Sequence, residues 1–229
     1  MNKRLSKYYD SKQAEKYEIQ RDKPIWRAET DFFKVLIKKI SCKSSGKLNL
    51  LDVPVGTGRW IPLVQKIATK YVGVDISDSM INQAQKKLKQ CPENFNKSSK
   101  LINTSIEKLP LSLSEKFEVI IMTKFLPHFS IIEIKTIMNI LINFLQGYLI
   151  ISLRVTSKRS NIFFEILELL MKSPIGAIKR YLKCGKLSYT KIENDYNRVF
   201  HETGFIIVSK DLIFSDKYSR YEYWVLKLK

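Results

Sequence analysis

Leu48-Asn49-Leu50-Leu51-Asp52-Val53-Pro54-Val55-Gly56-Thr57-Gly58-Arg59 is the stretch that decides the fold of this chain. An apolar strand runs into a turn bearing two glycines and then into residues of helical spacing, an order of elements that cradles a nucleotide. Glycine at 56 and 58 permits positive φ and a close approach of the backbone to a ligand. The helix expected next, at about residues 59–69, presents N–H groups at its start. Asp52 closes the strand, where it either fixes the turn or meets a cationic group of the ligand. Seventeen residues past Gly58, Tyr71-Val72-Gly73-Val74-Asp75 reads as a second strand ending in an acid, and a carboxylate there is placed to accept both hydroxyls of a ribose. A dinucleotide-binding dehydrogenase would carry a third glycine near position 61, where Ile61-Pro62 stands instead.

Outward from this stretch the pattern alternates. Strands are expected at about 48–53, 71–75, 100–104, 117–123, 147–153, 205–214 and 220–228, and helices at about 5–20, 25–40, 59–69, 78–90, 131–145 and 190–203. The fold class this implies is α/β: a seven-stranded, mostly parallel sheet with helices on both faces. The last two strands, joined by a short turn at Ser215-Asp216-Lys217, supply one antiparallel partner. Ligand then sits at the carboxyl ends of the strands. One domain over residues 1–229 is expected, with an N-terminal helical cap over about 1–45 and a helical insertion over about 154–189. The insertion carries the apolar run Asn161 to Met171, a break at Pro174 and Gly176, and a basic amphipathic stretch, Ile178 to Lys183. It reads as a hairpin packed on the core, as a lid over an acceptor pocket, or as a membrane-facing or dimer-forming helix.

Composition narrows the classes further. No segment approaches the run of apolar residues that crosses a membrane, and the N-terminus lacks the apolar core of a secretion signal, so a cytoplasmic location is expected. Cys42, Cys91 and Cys184 are odd in number and far apart, which speaks against a disulfide frame or a zinc site and for free thiols. The net charge of +18 attracts polyanions and leaves a nucleic-acid partner open. However, only nine of the 40 basic residues are Arg, and the Lys are spread over helix faces.

The same residues resemble the class I, Rossmann-like S-adenosylmethionine-dependent methyltransferases. Asp52 to Gly58 is similar to that family's first motif, and Asp75 in Gly73-Val74-Asp75-Ile76-Ser77 to its ribose-binding acid. Ser105-Ile106-Glu107-Lys108-Leu109-Pro110 resembles the adenine-side loop, and Phe117 to Met122 the fourth strand, whose end faces the transferred methyl. Phe200 to Phe205 and Glu222 to Leu226 resemble the last helix-to-strand passage and the last strand. The opening segment, Tyr8 to Glu18, resembles the helix that folds over the cofactor in small-molecule members. The resemblance implies S-adenosyl-L-methionine as cofactor, held by Asp52, Pro54, Val55, Gly56, Thr57, Gly58, Asp75, Ile76, Met80, Ser105, Ile106 and Met122. Tyr17 would lie against the methionine part, and Arg27 would pair with its carboxylate. Two departures stand out: Pro54 occupies the place of the first glycine, without an N–H, and Ser105 the place of a common Asp.

Methyl transfer from a sulfonium is an in-line displacement, so the protein must position donor and acceptor and, for a hydroxyl acceptor, take a proton. His128, in Thr123-Lys124-Phe125-Leu126-Pro127-His128-Phe129, falls just past the fourth strand and is the candidate catalytic base, or else it shapes the site. His201 is expected to be structural. No Asn-Pro-Pro-Tyr or Asp-Pro-Pro-Tyr follows the fourth strand, and Cys91-Pro92 stands in the reverse of the order used at cytosine C5. A small-molecule O or N acceptor therefore leads. RNA or another nucleic acid, or a non-catalytic partner subunit of the same fold, remain as alternatives.

Overall fold

A computed structural model describes residues 11–20, 23–44, 48–156, 191–216 and 219–229. Two helices come first, α1 (Ser11–Gln20) and α2 (Pro24–Lys43). Then follow β1 (Leu48–Asp52), α3 (Ile61–Val64), β2 (Ala68–Asp75), α4 (Asp78–Lys89), α5 (Glu93–Lys97) and β3 (Ser99–Asn103). A 3-10 turn (Ile106–Lys108), α6 (Leu109–Ser112), β4 (Phe117–Met122), a second 3-10 turn (Leu126–His128), α7 (Ile131–Leu141) and β5 (Leu145–Thr156) continue the chain. It ends in α8 (Glu193–Glu202), β6 (Phe205–Ser215) and β7 (Ser219–Leu228).

The seven strands form one sheet in the order β3-β2-β1-β4-β5-β7-β6. Every neighbour is parallel except β7, which runs antiparallel to both β5 and β6. Strand order reverses between β1 and β4, and a parallel sheet opens a crevice at its carboxyl edge at such a point. Because side chains alternate across a strand, each strand feeds two cores. Leu51, Val72, Ile120, Met122, Leu149, Ile151 and Trp224 face α7 and α8, where Ile134, Ile137, Met138, Val199 and Phe200 cover them. Leu48, Leu50, Tyr71, Val119, Ile121, Ile150 and Tyr223 face α2 and α4, where Phe33, Ile37, Ile40, Ala84 and Leu88 close the other side.

Helix starts are fixed locally. Ser77 caps α4 by accepting from Met80 N at 3.3 Å. Ser130 and Glu133 form a reciprocal capping box on α7, each side chain accepting the other's backbone N–H at 3.3 and 2.8 Å.

The helix expected over 59–69 is four residues long, Ile61–Val64, and β2 begins at Ala68 rather than at Tyr71. Pairing decides this: Ala68 and Lys70 register with Leu48 and Asn49 of β1, so the residues that would lengthen the helix extend the sheet. α5 was not expected, and β5 runs on through Arg154–Thr156, the first residues assigned above to the insertion. The rest of that insertion, residues 157–190, lies outside the described residues. Lys191 resumes the chain beside β5, its carbonyl accepting the N–H and Oγ1–H of Thr156 at 2.9 and 3.1 Å. Cys42 and Cys91 are free thiols, and Cys184 lies outside the described residues. Among the described residues no helix is long and apolar enough to cross a membrane, and no group of side chains could hold a metal ion.

Gly56 and Gly58 both take positive φ, +54° and +71°. Their surroundings differ. A Cβ on Gly56 meets nothing within 4 Å, whereas one on Gly58 would lie 2.7 Å from Ile61 Cδ1 and 3.0 Å from Ala84 Cα of α4. Gly56→Ala is therefore expected to cost about 1 kcal/mol of left-handed backbone strain. Gly58→Ala should cost roughly 2–4 kcal/mol, since overpacking adds to the strain. Urea unfolding midpoints of the two variants check this, and equal losses would contradict the packing role given to Gly58.

Candidate cofactor and acceptor site

The alternation of β1 and β2 sets the acids. Asp52 lies two positions past Leu50 and Asp75 four past Tyr71, so both carboxylates project from the α4 face of the sheet. Asp75 Oδ2 accepts the N–H of Gly56 and Oδ1 that of Ser77, each at 2.9 Å, so one carboxylate ties the turn after β1 to the start of α4. Burial pushes Asp75 up to about 6, against the pull of the Ser77, Gly56 and Ile76 amides. Its pKa is raised above the ordinary value, so ionisation works against stability: its contribution is full below about 4 and is lost as pH rises through about 6.

A cavity opens at the carboxyl ends of β1, β2, β3 and β4. Of the residues expected to hold a cofactor, Tyr17, Pro54, Val55, Gly56, Thr57, Asp75, Ile76, Met80, Ser105 and Ile106 line it, and so does His128. The Val53-Pro54 peptide bond is cis, and Val55 N donates to Val74 O at 2.8 Å, fastening the turn to β2.

Four expected residues stand elsewhere. Asp52 is fully buried and accepts the Tyr71 hydroxyl at 2.8 Å, while its Oδ1 is buried with no hydrogen-bond partner. Burial, reinforced by Asp75, pushes Asp52 up to about 8 despite the Tyr71 hydrogen bond, so at neutral pH it is largely uncharged and does not face a cationic ligand group. Gly58 packs on α4, Met122 lies in the core under α7, and Arg27 is exposed on α2 outside the lining.

A cluster that the sequence did not reveal lines the cavity where Arg27 is absent. Trp26, Arg59, Trp60 and Lys124 line the cavity, and the buried Glu29 stands behind them. Arg59 pairs with Glu29 and donates to Trp26 O at 2.7 Å and Thr30 Oγ1 at 2.8 Å. Its guanidinium carbon lies 4.4 Å from the centre of the Trp60 ring, on which Phe33 stacks at 3.9 Å and whose Nε1–H donates to Thr123 Oγ1 at 3.1 Å. Lys124 Nζ is 2.8 Å from Glu29 Oε2 and 2.9 Å from the Trp26 ring centre. Tyr223 on β7 donates its hydroxyl to Glu29 Oε1 at 2.9 Å. Burial raises the Glu29 carboxyl, but Lys124 and Arg59 outweigh it and hold Glu29 below its ordinary value. The cluster joins α2, the turn after β1, the end of β4 and β7, separations of 30 to 194 residues along the chain. Only Arg59, directly after the glycines, and Lys124, directly past the fourth strand, had positions that could have drawn attention to them.

Comparison with known proteins agrees with this geometry. Residues 50–146, from β1 into β5, match the family model described as a methyltransferase domain. An uncharacterized protein of Haemophilus influenzae is 33% identical over 121 residues, 52% of this chain and 46% of that one. The match thus spans about half the length of that curated relative. Among solved structures, the magnesium protoporphyrin IX methyltransferase of Synechocystis PCC 6803 with bound S-adenosylhomocysteine superposes with TM-score 0.69 at 21% identity, covering 96% of this chain and 97% of that one. A S-adenosylmethionine-dependent methyltransferase from Clostridium acetobutylicum gives 0.66 at 15% identity over 93% and 98%. Residues 50–146 thus match a methyltransferase domain, and the fold is that of the class I, Rossmann-like S-adenosylmethionine-dependent methyltransferases.

Replacing Glu29 by Gln leaves Arg59 and Lys124 beside each other without their shared carboxylate. Removing one partner of a buried pair costs about 3–5 kcal/mol, which exposure of Lys124 reduces here to roughly 2–4 kcal/mol at pH 7. Because the pKa of Glu29 is lowered, its contribution is present above the unfolded value near 4.5 and is lost as pH falls below that. The gap in unfolding free energy between the two proteins should accordingly shrink in acid. A gap that stays constant from pH 7 to pH 3 would contradict the ion-pair account.

Proposed function

We propose that this chain binds S-adenosyl-L-methionine in the cavity at the carboxyl ends of β1, β2 and β4 and transfers its methyl group to an oxygen or nitrogen of a small-molecule acceptor. The observation that carries this reading is that one cavity joins Asp75, the Gly56 turn and the Ser105-Ile106 loop to Thr123, Lys124 and His128 past β4. The residues fit the donor. Asp75 offers a buried carboxylate already oriented by two amides, and the space beside Gly56 stays open even to an added Cβ. When bound, the donor supplies a methyl group on a positively charged sulfur.

In this reading Asp75 accepts the ribose hydroxyls, Ser105 and Ile106 flank the adenine, and Tyr17, edge-on to Trp26 at 6.0 Å, covers the methionine part. His128, at the end of the 3-10 turn after β4, takes the proton of a hydroxyl acceptor. The small-molecule choice has two supports. The name of the Synechocystis relative specifies a small molecule, magnesium protoporphyrin IX. Among the described residues the cavity lining holds one Arg and one Lys, Arg59 and Lys124, and both pair with Glu29, so the +18 charge is not gathered there as a nucleic-acid track would require. The segment 157–190, which reads from the sequence as a hairpin packed on the core, a lid over an acceptor pocket, or a membrane-facing or dimer-forming helix, lies outside the described residues.

Asp75→Ala should weaken donor binding by about 1–3 kcal/mol, the cost of leaving hydroxyls unpaired. In the wild type, donor affinity should be flat above pH 6 and fall as pH drops through about 6, where Asp75 takes up a proton. Calorimetric titration reads both effects, and an affinity indifferent to the substitution and to pH would contradict the ribose role. In a labelled-methyl assay across small-molecule, RNA and peptide pools, incorporation is expected in the small-molecule pool. With a hydroxyl acceptor found this way, His128→Ala should lower turnover by ~10²–10⁴-fold and leave donor affinity near its original value. Near-normal turnover would assign His128 to shaping the site. Donor binding with no transfer to any pool would favour a non-catalytic subunit.

A further inference from the structure

Thr123 is the polar residue past β4 to which the roles above give no task. It stands two positions after Ile121, on the face of the sheet that α2 and α4 cover, beside Trp60. Trp60 is 2% exposed, and its Nε1–H, which burial cuts off from water, finds an acceptor in Thr123 Oγ1 at 3.1 Å. A threonine hydroxyl has one O–H to give and two lone pairs. Trp60 occupies one lone pair and so holds the side chain in place, while the O–H has no acceptor among the described residues. Thr123 is half-buried and lines the cavity, which brings that O–H within reach of a ligand.

The surroundings define what can arrive there. Val53, Val55, Trp26, Phe125 and Phe129 give apolar walls, with the Phe125 and Phe129 rings edge-on at 4.5 Å. Arg59 and Lys124 are held by Glu29 and lie against Trp26. The other carboxylates of the lining, Asp75 and Glu107, stand at the end of β2 and in the 3-10 turn after β3, the end of the cavity given above to the donor's ribose and adenine. A charged acceptor would have to break a formed ion pair or give up its hydration without a counterion, a cost that an uncharged one escapes.

An oxygen nucleophile fits the Thr123 O–H. Of its two lone pairs, one accepts from Thr123 and the other attacks the methyl carbon. The O–CH3 bond forms as the S–CH3 bond breaks, the electron pair of the broken bond stays on sulfur as a neutral thioether, and the hydroxyl proton passes to His128. An amine nitrogen has a single lone pair and cannot accept from Thr123 while it attacks. The donor's sulfonium accepts no hydrogen bond, so an O–H beside it serves the other reactant.

We propose that Thr123 is a positioning residue for the methyl acceptor, and that the acceptor is an uncharged small molecule of apolar skeleton, methylated on a hydroxyl. This inference rests on the methyltransferase reading of the site and adds to it the class of acceptor and the atom that receives the methyl. The competing claimant for the same O–H is the carboxylate of the donor's methionine part.

The test uses the full chain saturated with S-adenosylhomocysteine, whose own affinity is measured first by calorimetry. 4-Ethylphenol and 4-ethylcyclohexanol are then titrated into the wild type, Thr123→Val and Thr123→Ser, each beside the compounds with a methyl, an amino or a carboxyl group in place of the hydroxyl. At least one hydroxyl compound is expected to bind about threefold or more tightly than its three counterparts, the scale of one hydrogen bond. In Thr123→Val its advantage over the methyl counterpart should vanish while that counterpart binds as before, a split that a merely structural role does not produce. Thr123→Ser should keep the advantage, and S-adenosylhomocysteine affinity should change less than about threefold in both variants. Where Thr123→Val unfolds because Trp60 loses its acceptor, the double variant Trp60→Phe/Thr123→Val removes both partners and carries the same expectation. Hydroxyl compounds that bind no better than their counterparts overturn the proposal, and so does an advantage that survives in Thr123→Val. A loss of S-adenosylhomocysteine affinity of about tenfold or more in Thr123→Val also overturns it, by giving the hydroxyl to the donor. Failure of the wild type to bind S-adenosylhomocysteine at all refutes the methyltransferase reading itself and this inference with it.

Discussion

The carboxylate of Asp75, held between the N–H of Gly56 and the N–H of Ser77, is the interaction on which the site depends. It links the end of β2 to the turn after β1 and to the cap of α4, adding to the Val55–Val74 backbone bond between the first two. Burial makes the charge costly, as its raised pKa shows, and the two amides offset part of that cost. A carboxylate held this way is preorganised, because its orientation is fixed by backbone donors rather than by the ligand it would bind. The neighbouring acid, Asp52, shows the alternative outcome: with one hydroxyl partner and one orphaned oxygen it is pushed up to about 8 and serves the interior.

The other end of the cavity is organised by a single carboxylate as well. Glu29 gathers Arg59, Lys124 and Tyr223 around the N-terminal turns of α2, and Trp26 lies against both cations. The helix that covers the cavity is thus held by charge and ring contacts at the cavity wall, while α1 is tied down separately by Glu18 and Lys87 of α4 at 2.7 Å. Roof and wall are therefore coupled: a change at Glu29 reaches the cavity lining through Trp26 and Lys124.

Much of the fold was legible because strands alternate and parallel strands read as apolar runs. β1, β4 and the last two strands fell where their patterns put them, β2 ended where expected but began three residues earlier, and the acids at 52 and 75 followed from strand ends. The helix over 59–69 misled because Ile61 and Val64 have helical spacing, yet strand pairing of Ala68 and Lys70 with β1 outweighs the propensity of that short segment. In the cavity lining, Pro54 to Thr57, Asp75, Ile76, Ser105 and Ile106 were legible because a motif fixes them, whereas Gly58 and Met122 of the same motifs pack elsewhere. Asp52 shares the face of Asp75, but it lies under the Tyr71 hydroxyl and outside the cavity lining, which strand parity does not reveal. Glu29, Trp26 and Tyr223 were illegible for another reason: their partners lie 30 to 194 residues away, and nothing local marks a buried glutamate on an amphipathic helix as a shared counterion.

The most direct measurement is a crystal structure of the chain grown with S-adenosylhomocysteine. The account predicts both ribose hydroxyls within hydrogen-bonding distance of the Asp75 carboxylate, the adenine beside Ser105 and Ile106, and the sulfur facing Thr123 and His128. A ligand lodged elsewhere, or one bound here with its ribose turned away from Asp75, would contradict it.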